Sequence, residues 1–186
     1  FPKKLYFCPP LKVIMPGRRD YNIAFVGLKP GTTEFDYELG NEFFEPEQPA
    51  DFTDIQAHVK LKLDKHAGFM QLKFEVGGTA DVLCNRCGNP LKVDLWDDFE
   101  MIVKMVDNAD EMNESNDDPD VFFISRTESH LNIKDWLYEF VTLSIPTHPE
   151  CGEDEKGKTK CNQDVLNMLE KLKDNEEKDT KTIWKG

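Results

Sequence analysis

Cys84 and Cys87 stand two residues apart in "CNRCGNPL", with Gly88, Asn89 and Pro90 supplying a turn directly behind them. That spacing supports three chemistries. Two thiolates from one turn can supply half of a tetrahedral zinc site, which needs about four ligands. A Cys-x-x-Cys pair can also run disulfide exchange, but that requires its first thiol at a helix N-terminus, which lowers the thiol's pKa. Here the pair lies between two apolar alternating runs. The third reading is that both residues merely fill space at a strand end. A second pair of ligands has to come from "THPECGEDEKGKTKC", which offers His148, Cys151 and Cys161. His148 and Cys151 repeat the two-residue gap, whereas Cys151 to Cys161 is wider than a standard knuckle. The candidate ligands are therefore Cys84, Cys87, Cys151 and Cys161, with His148 as the alternative. Spacing alone leaves metal, redox and packing open.

Other chemistry is hard to find. The chain has no glycine-rich phosphate loop, no G-x-S-x-G and no H-E-x-x-H. Carboxylates are abundant, but in so acidic a chain they need no active site to explain them. His58, His66 and His130 read as surface residues, and Cys8 carries no assignment. The expectation is a protein that is not an enzyme and takes no small-molecule substrate.

The chain has 186 residues, long enough to bury roughly 70% of its unfolded surface without disulfides. Five cysteines, an odd number, fit a reducing cytosol rather than a disulfide framework. Lysine and arginine number 23 against 36 aspartate and glutamate, a net charge of -13. Such a surface repels bare phosphate backbones and anionic lipid unless basic groups cluster, and it favours a basic protein partner. No apolar run approaches the roughly 18 residues needed to span a bilayer. The opening segment, residues 1–20, is interrupted by Pro9, Pro10 and Pro16, and Met15 is a candidate initiator that would make residues 1–14 non-native.

Positioning of the cysteines falls to elements that alternation makes visible. "YNIAFVGL" alternates through Ile23 and Phe25, and "KPGTTE" reads as a Pro-Gly turn. "FDYELG" places Phe35, Tyr37 and Leu39 on one face, and "NEFFEPEQPADF" reads as a loop anchored by Phe43 and Phe44. Val59, Leu61 and Leu63 face one way, as do Leu72, Phe74 and Val76 after the turn "DKHAG", predicting a hairpin with one buried face. Gly77-Gly78 predicts a bulge or kink before "TADVLC" delivers Cys84. A further strand spans 99–106, and the acidic stretch "DNADEMNESNDDPD" reads as a mobile loop or a lure for a basic partner. The stripe Ile133, Trp136, Leu137, Phe140, Val141 predicts a helix over 133–145 with Asn132 as its N-cap, stopped by Pro146. A shorter helix over 163–173 carries Val165, Leu166, Met168, Leu169 and Leu172. The fold expectation is α+β: a bent, mainly antiparallel sheet of six or seven strands, a long helix on its apolar face and a short C-terminal helix near the cysteines. Residues 21–175 form one domain in this reading, followed by a loose tail, 176–186, with Trp184 as a docking point.

The order of "GLKPGTTEFDYELGNEFF", "VKLKLDK", "LKFEVGGTADVLCNRCGNPL", "FVTLSIPTHPEC" and "CNQDVLNMLEKL" resembles the YceD family, the large ribosomal RNA subunit accumulation proteins, in the form found in Bacteroidota. The likeness runs over about residues 21–184. Its most telling pieces are the C-x-R-C at a strand end and the L-x-L-P-like "LSIP" followed by a cysteine. Many Gram-positive relatives carry a denser cysteine set after that point; "CGEDEKGKTKC" keeps Lys156-Gly157 but lacks the inner cysteines. The resemblance implies a cytoplasmic, non-enzymatic factor supporting 23S rRNA accumulation and large-subunit assembly, while the cysteine spacing keeps structural zinc as a possible cofactor. With this much negative charge, contact is expected through a ribosomal protein or a protein–RNA surface of a pre-50S particle, and Arg86 is the candidate contact residue. The alternative is a direct RNA-binding module in which Lys60, Lys62 and Lys73 form a basic strip on the wet face of the sheet.

Overall fold

Apolar–polar alternation, sustained over long segments, builds the body of this chain. The computed structural model describes residues 12–13, 21–44 and 52–172. Its strands are β1 (Lys12–Val13), β2 (Asn22–Ile23), β3 (Gly31–Gly40), β4 (Phe52–Lys65), β5 (Phe69–Leu83), β6 (Pro90–Val106), β7 (Val121–Ser125) and β8 (Leu131–Asn132). The helices are α1 (Asn41–Phe44), α2 (Ala109–Glu114) and α3 (Lys134–Leu143), with α4 over 163–172. Six strands form one sheet in the order β1-β3-β4-β5-β6-β7, and β2 pairs with β8 in a second, two-stranded sheet. The pairs β3–β4, β4–β5 and β5–β6 are antiparallel, while β1–β3 and β6–β7 are parallel. The mixed α+β class is as expected. Cys8, Met15 and Trp184 lie outside the described residues.

Alternation lands where the period of two puts it. Val59, Leu61, Leu63, Leu72 and Phe74 are fully buried, and each such side chain contributes about 1.5–3 kcal/mol relative to exposure. Phe74 and Phe99 meet Phe140 of α3, with ring centroids 4.9 and 4.4 Å apart, and Leu137 and Val141 complete that contact in the same core.

Several expectations need correction. The helix expected over 133–145 is ten residues long, about 15 Å, and so not a long element. Ile133 is its first flanking residue, and Asn132 still accepts the Lys134 N–H at 2.9 Å from one position earlier. The segment after Ile23 turns into a short 3-10 helix, Phe25–Gly27, because the Lys65 ammonium gathers the carbonyls of Phe25 and Leu28 at 2.7 and 2.9 Å. "GTTE" belongs to β3 rather than to a turn. Phe43 and Phe44 are buried on a one-turn helix, not a loop.

Gly77-Gly78 makes no bulge: pairing runs unbroken through both residues on either side. Gly78 instead has φ +136°, and a Cβ there would stand 2.1 Å from the Gln56 carbonyl oxygen. Close approach of backbone, not an extra residue, explains the glycine. β6 begins at Pro90, nine residues before the predicted strand. The acidic stretch contains α2 and is tied down by Asn113, whose side chain both donates to and accepts from the Phe123 backbone, at 2.8 and 2.9 Å.

Candidate metal centre

The β5–β6 turn carries the first two sulfurs. Cys84 N–H donates to the Asn89 carbonyl and Gly88 N–H to the Cys84 carbonyl, both at 2.8 Å. Gly88 sits at φ +71°, a left-handed position that lets the chain reverse immediately behind Cys87. Both thiols point inward and are buried.

The second pair looks too widely spaced in the sequence, and the structure shows why it is not. Residues 152–160 fold back as a small hairpin, with Glu153 bridged to Thr159 and Lys160 N–H donating to the Gly152 carbonyl at 3.0 Å. Asp154 organises the turn: its carboxylate accepts the N–H groups of Lys156 and Lys158 at 2.9 and 2.8 Å. Gly157, at φ +73°, closes it. The spacer is thereby cancelled and Cys151 arrives beside Cys161. Asn162 then caps α4 through its side-chain oxygen, 2.9 Å from the Asp164 N–H. Val165 and Leu166 of α4 pack against the sulfurs.

Asn85 joins the two arms. Its N–H donates to the Pro149 carbonyl at 2.8 Å and its side-chain amide to the Thr147 carbonyl at 3.3 Å. Cysteine spacing marks neither Asn85 nor Asp154; the signal in the sequence is an Asx residue ahead of a lysine–glycine turn in "DEKG".

The outcome is a cluster of four free sulfurs. Cys84 and Cys161 are 3.8 Å apart and Cys87 and Cys151 3.6 Å, and all four Sγ atoms lie within 4.8 Å of one another. Thiolates about 2.3 Å from a tetrahedral centre are about 3.8 Å from each other. The cluster has the size and the donor set to hold a metal ion. Burial pushes the Cys84 thiol up, but the N–H groups of Cys87 and Arg86 and the thiol of Cys151 outweigh it and bring its pKa down to about 6. Cys151 is pushed up to about 12, first by its hydrogen bond to Cys84, then by burial and by the other two sulfurs. Opposite shifts on neighbouring thiols are the mark of a cluster that titrates as one coupled group.

The remaining candidates are not members of the four-sulfur group. His148 is exposed and outside the four-sulfur group. Arg86, half exposed, stands 3.8 Å from Glu150. Lys60 and Lys73 pair with Glu34 and Asp98 at 3.4 and 3.2 Å, and Lys62 pairs with Glu75. Each lysine of the supposed strip thus faces a carboxylate.

No curated protein and no solved structure matches the chain. A family model does, that of the large ribosomal RNA subunit accumulation protein YceD, over residues 72–186. The match begins within β5 and takes in every one of the four clustered cysteines, while β1 to β3 and all of β4 lie before it. By that span, more than half of its length, the chain belongs to the YceD family of large ribosomal RNA subunit accumulation proteins.

Proposed function

We propose that this chain is a non-enzymatic assembly factor for the large ribosomal subunit, acting in the cytoplasm by binding a basic ribosomal protein or a protein–RNA surface. The observation that carries this is the family match over 72–186, whose name ties the family to ribosomal RNA accumulation. Physical features agree with it. A cluster of four protein thiols leaves a tetrahedral metal no open position for substrate, as in structural rather than catalytic zinc sites. Cys84, Cys87, Cys151 and Cys161 would hold that zinc, and its chemistry there is to clip the 147–172 arm to the end of the sheet. The described part of the proposed 21–175 domain, residues 21–44 and 52–172, is the unit so held.

Direct RNA binding through Lys60, Lys62 and Lys73 is the weaker reading, since each ammonium has a carboxylate partner and the chain carries a net charge of -13. Arg86 remains the contact residue proposed for the partner surface, beside the sulfurs and exposed. Deleting the gene and profiling ribosomal particles tests the function: a fall in mature 50S subunits and in 23S rRNA is expected, and unchanged levels of both would remove it. A salt titration against rRNA fragments separates the two readings, because phosphate contact loses affinity steeply with salt.

A further inference from the structure

The sheet has an edge that the described residues leave open. β6 is 17 residues long, but β7 pairs only with Ile102–Val106. From Pro90 to Met101 its outer side has no strand partner among the described residues, a run of about 35–40 Å.

The direction of each backbone group follows from the ladder. Antiparallel pairing makes alternate residues bond to the same neighbour. Met105 N–H bonds to the Gly68 carbonyl on the β5 side, whereas Ile102 N–H bonds to the Asp120 carbonyl on the β7 side. Even-numbered residues of β6 therefore turn their amide and carbonyl outward. Lys92, Asp94, Trp96 and Glu100 present outward N–H groups with no partner among the described residues. Asp98 differs, since its N–H donates to the Asp97 carboxylate at 2.9 Å.

The side chains along this edge select what can pair with it. Trp96 is 83% exposed, opposite Gly77 on β5, which has no side chain to cover it. Asp94 and Glu100 have no ion-pair partner among the described residues, while Lys92 is engaged by Asp81 and Asp98 by Lys73. A second copy paired antiparallel about Trp96 would set Asp94 against Asp98, and one paired about Asp97 would set Asp94 against Glu100, and like charges directly opposite destabilise a strand pair. A basic strand meets the opposite situation. Its lysines or arginines would lie against Asp94 and Glu100, and one could rest over the Trp96 indole.

We infer that the Pro90–Met101 edge of β6 docks an extended, lysine- or arginine-rich protein segment by strand addition. Main-chain bonds supply affinity in this mode, and alternate side chains supply selection. The inference rests on the proposed function and deepens it, naming both the surface and the form of the basic partner.

Amide exchange on the full metal-loaded chain tests it, with a short synthetic peptide of alternating lysine and threonine as probe and a glutamate–threonine peptide as control. In the free chain the amides of Lys92, Asp94, Trp96 and Glu100 should exchange fast while those of Val93 and Leu95 exchange slowly. At a basic-peptide concentration about ten times Kd, the four outward amides should slow about tenfold, and the acidic peptide should change nothing. The double variant Asp94→Lys, Glu100→Lys should weaken the basic peptide about tenfold or more. Asp94→Pro removes an outward donor without touching the β5 ladder; it should abolish protection while leaving metal content unchanged. Slow exchange of those four amides in the free chain would overturn the inference, because the edge would then be occupied by another segment or a second copy. Equal protection by both peptides, or none by either, would also overturn it. In cells, a double variant that fully restores 50S levels in a deletion strain overturns the docking edge and leaves the assembly role standing. A deletion without phenotype removes the assembly role and leaves the peptide result to be judged alone.

Discussion

The two ends of β5 are held by different physics. At Leu72 and Phe74 the strand is sealed between apolar neighbours from β4, β6 and α3, all part of one continuous core. Ten residues later, at Cys84, the buried cluster contains only Cys84, Cys87 and Cys161, with Cys151, Val165 and Leu166 against them. The first region is stable because apolar area leaves water. The second has only Val165 and Leu166 packed against its sulfurs among the described residues, and four thiols lie at its centre. Its four sulfurs could hold a metal ion, and the contrast sets a sheet sealed by its own core beside a lobe whose stability we propose to depend on that ligand.

Metal removal should break the symmetry most. Apparent binding free energies of structural zinc are on the order of 10 kcal/mol, so chelation, or Cys84→Ser, should release the 147–172 arm. Elemental analysis of protein purified without chelator should give about one zinc per chain, and amide exchange after chelation should rise in α4 while β4 and β5 stay protected. Global loss of the sheet, or no metal at all, would refute this division. Protons compete for the same sulfurs. Metal affinity should therefore fall as pH falls, most steeply below about 6, where Cys84 also takes up a proton; a zinc titration followed across pH checks the sign.

Phe74→Ala should do the reverse. It removes a fully buried ring and should lower denaturation stability by about 3–5 kcal/mol, with metal content preserved under native conditions. Gly78→Ala should cost about 3 kcal/mol, since its Cβ meets the Gln56 carbonyl oxygen at 2.1 Å and its φ is +136°. Asp154→Ala should leave the sheet untouched and weaken the cysteine arm by about 1–2 kcal/mol, read as a roughly tenfold loss in zinc affinity. Arg86→Ala should change stability by less than about 1 kcal/mol, as expected of an exposed pair with Glu150; a marked fall in 50S assembly without that loss would mark Arg86 as a contact.

Legibility divides along the same line. β4 and β5 could be read because a period of two leaves its mark within the strand itself, as in Val59, Leu61 and Leu63. The stripe on α3 was equally local. What escaped was set by distant or single side chains. The turn at Phe25–Gly27 depends on Lys65, forty residues on. The parallel run of β7 beside β6 depends on Asn113 holding Phe123. At the site, the four cysteines were identifiable by type, but the convergence of Cys151 on Cys161 depends on backbone N–H groups gathered by Asp154, which no spacing rule encodes.

The Asn85 clamp has a consequence for order in time. Cys151 follows Cys87 by 64 positions, so at about 5–20 residues per second a ribosome takes roughly 3–13 s to deliver it. During that interval the nascent chain exposes a two-sulfur half-site at the tip of a hairpin that is already synthesised. When Thr147 and Pro149 emerge, Asn85 can catch them before any sulfur from that arm is present. If a metal binds as proposed, backbone docking can precede its coordination, with the late thiols closing onto a site whose position Asn85 has set.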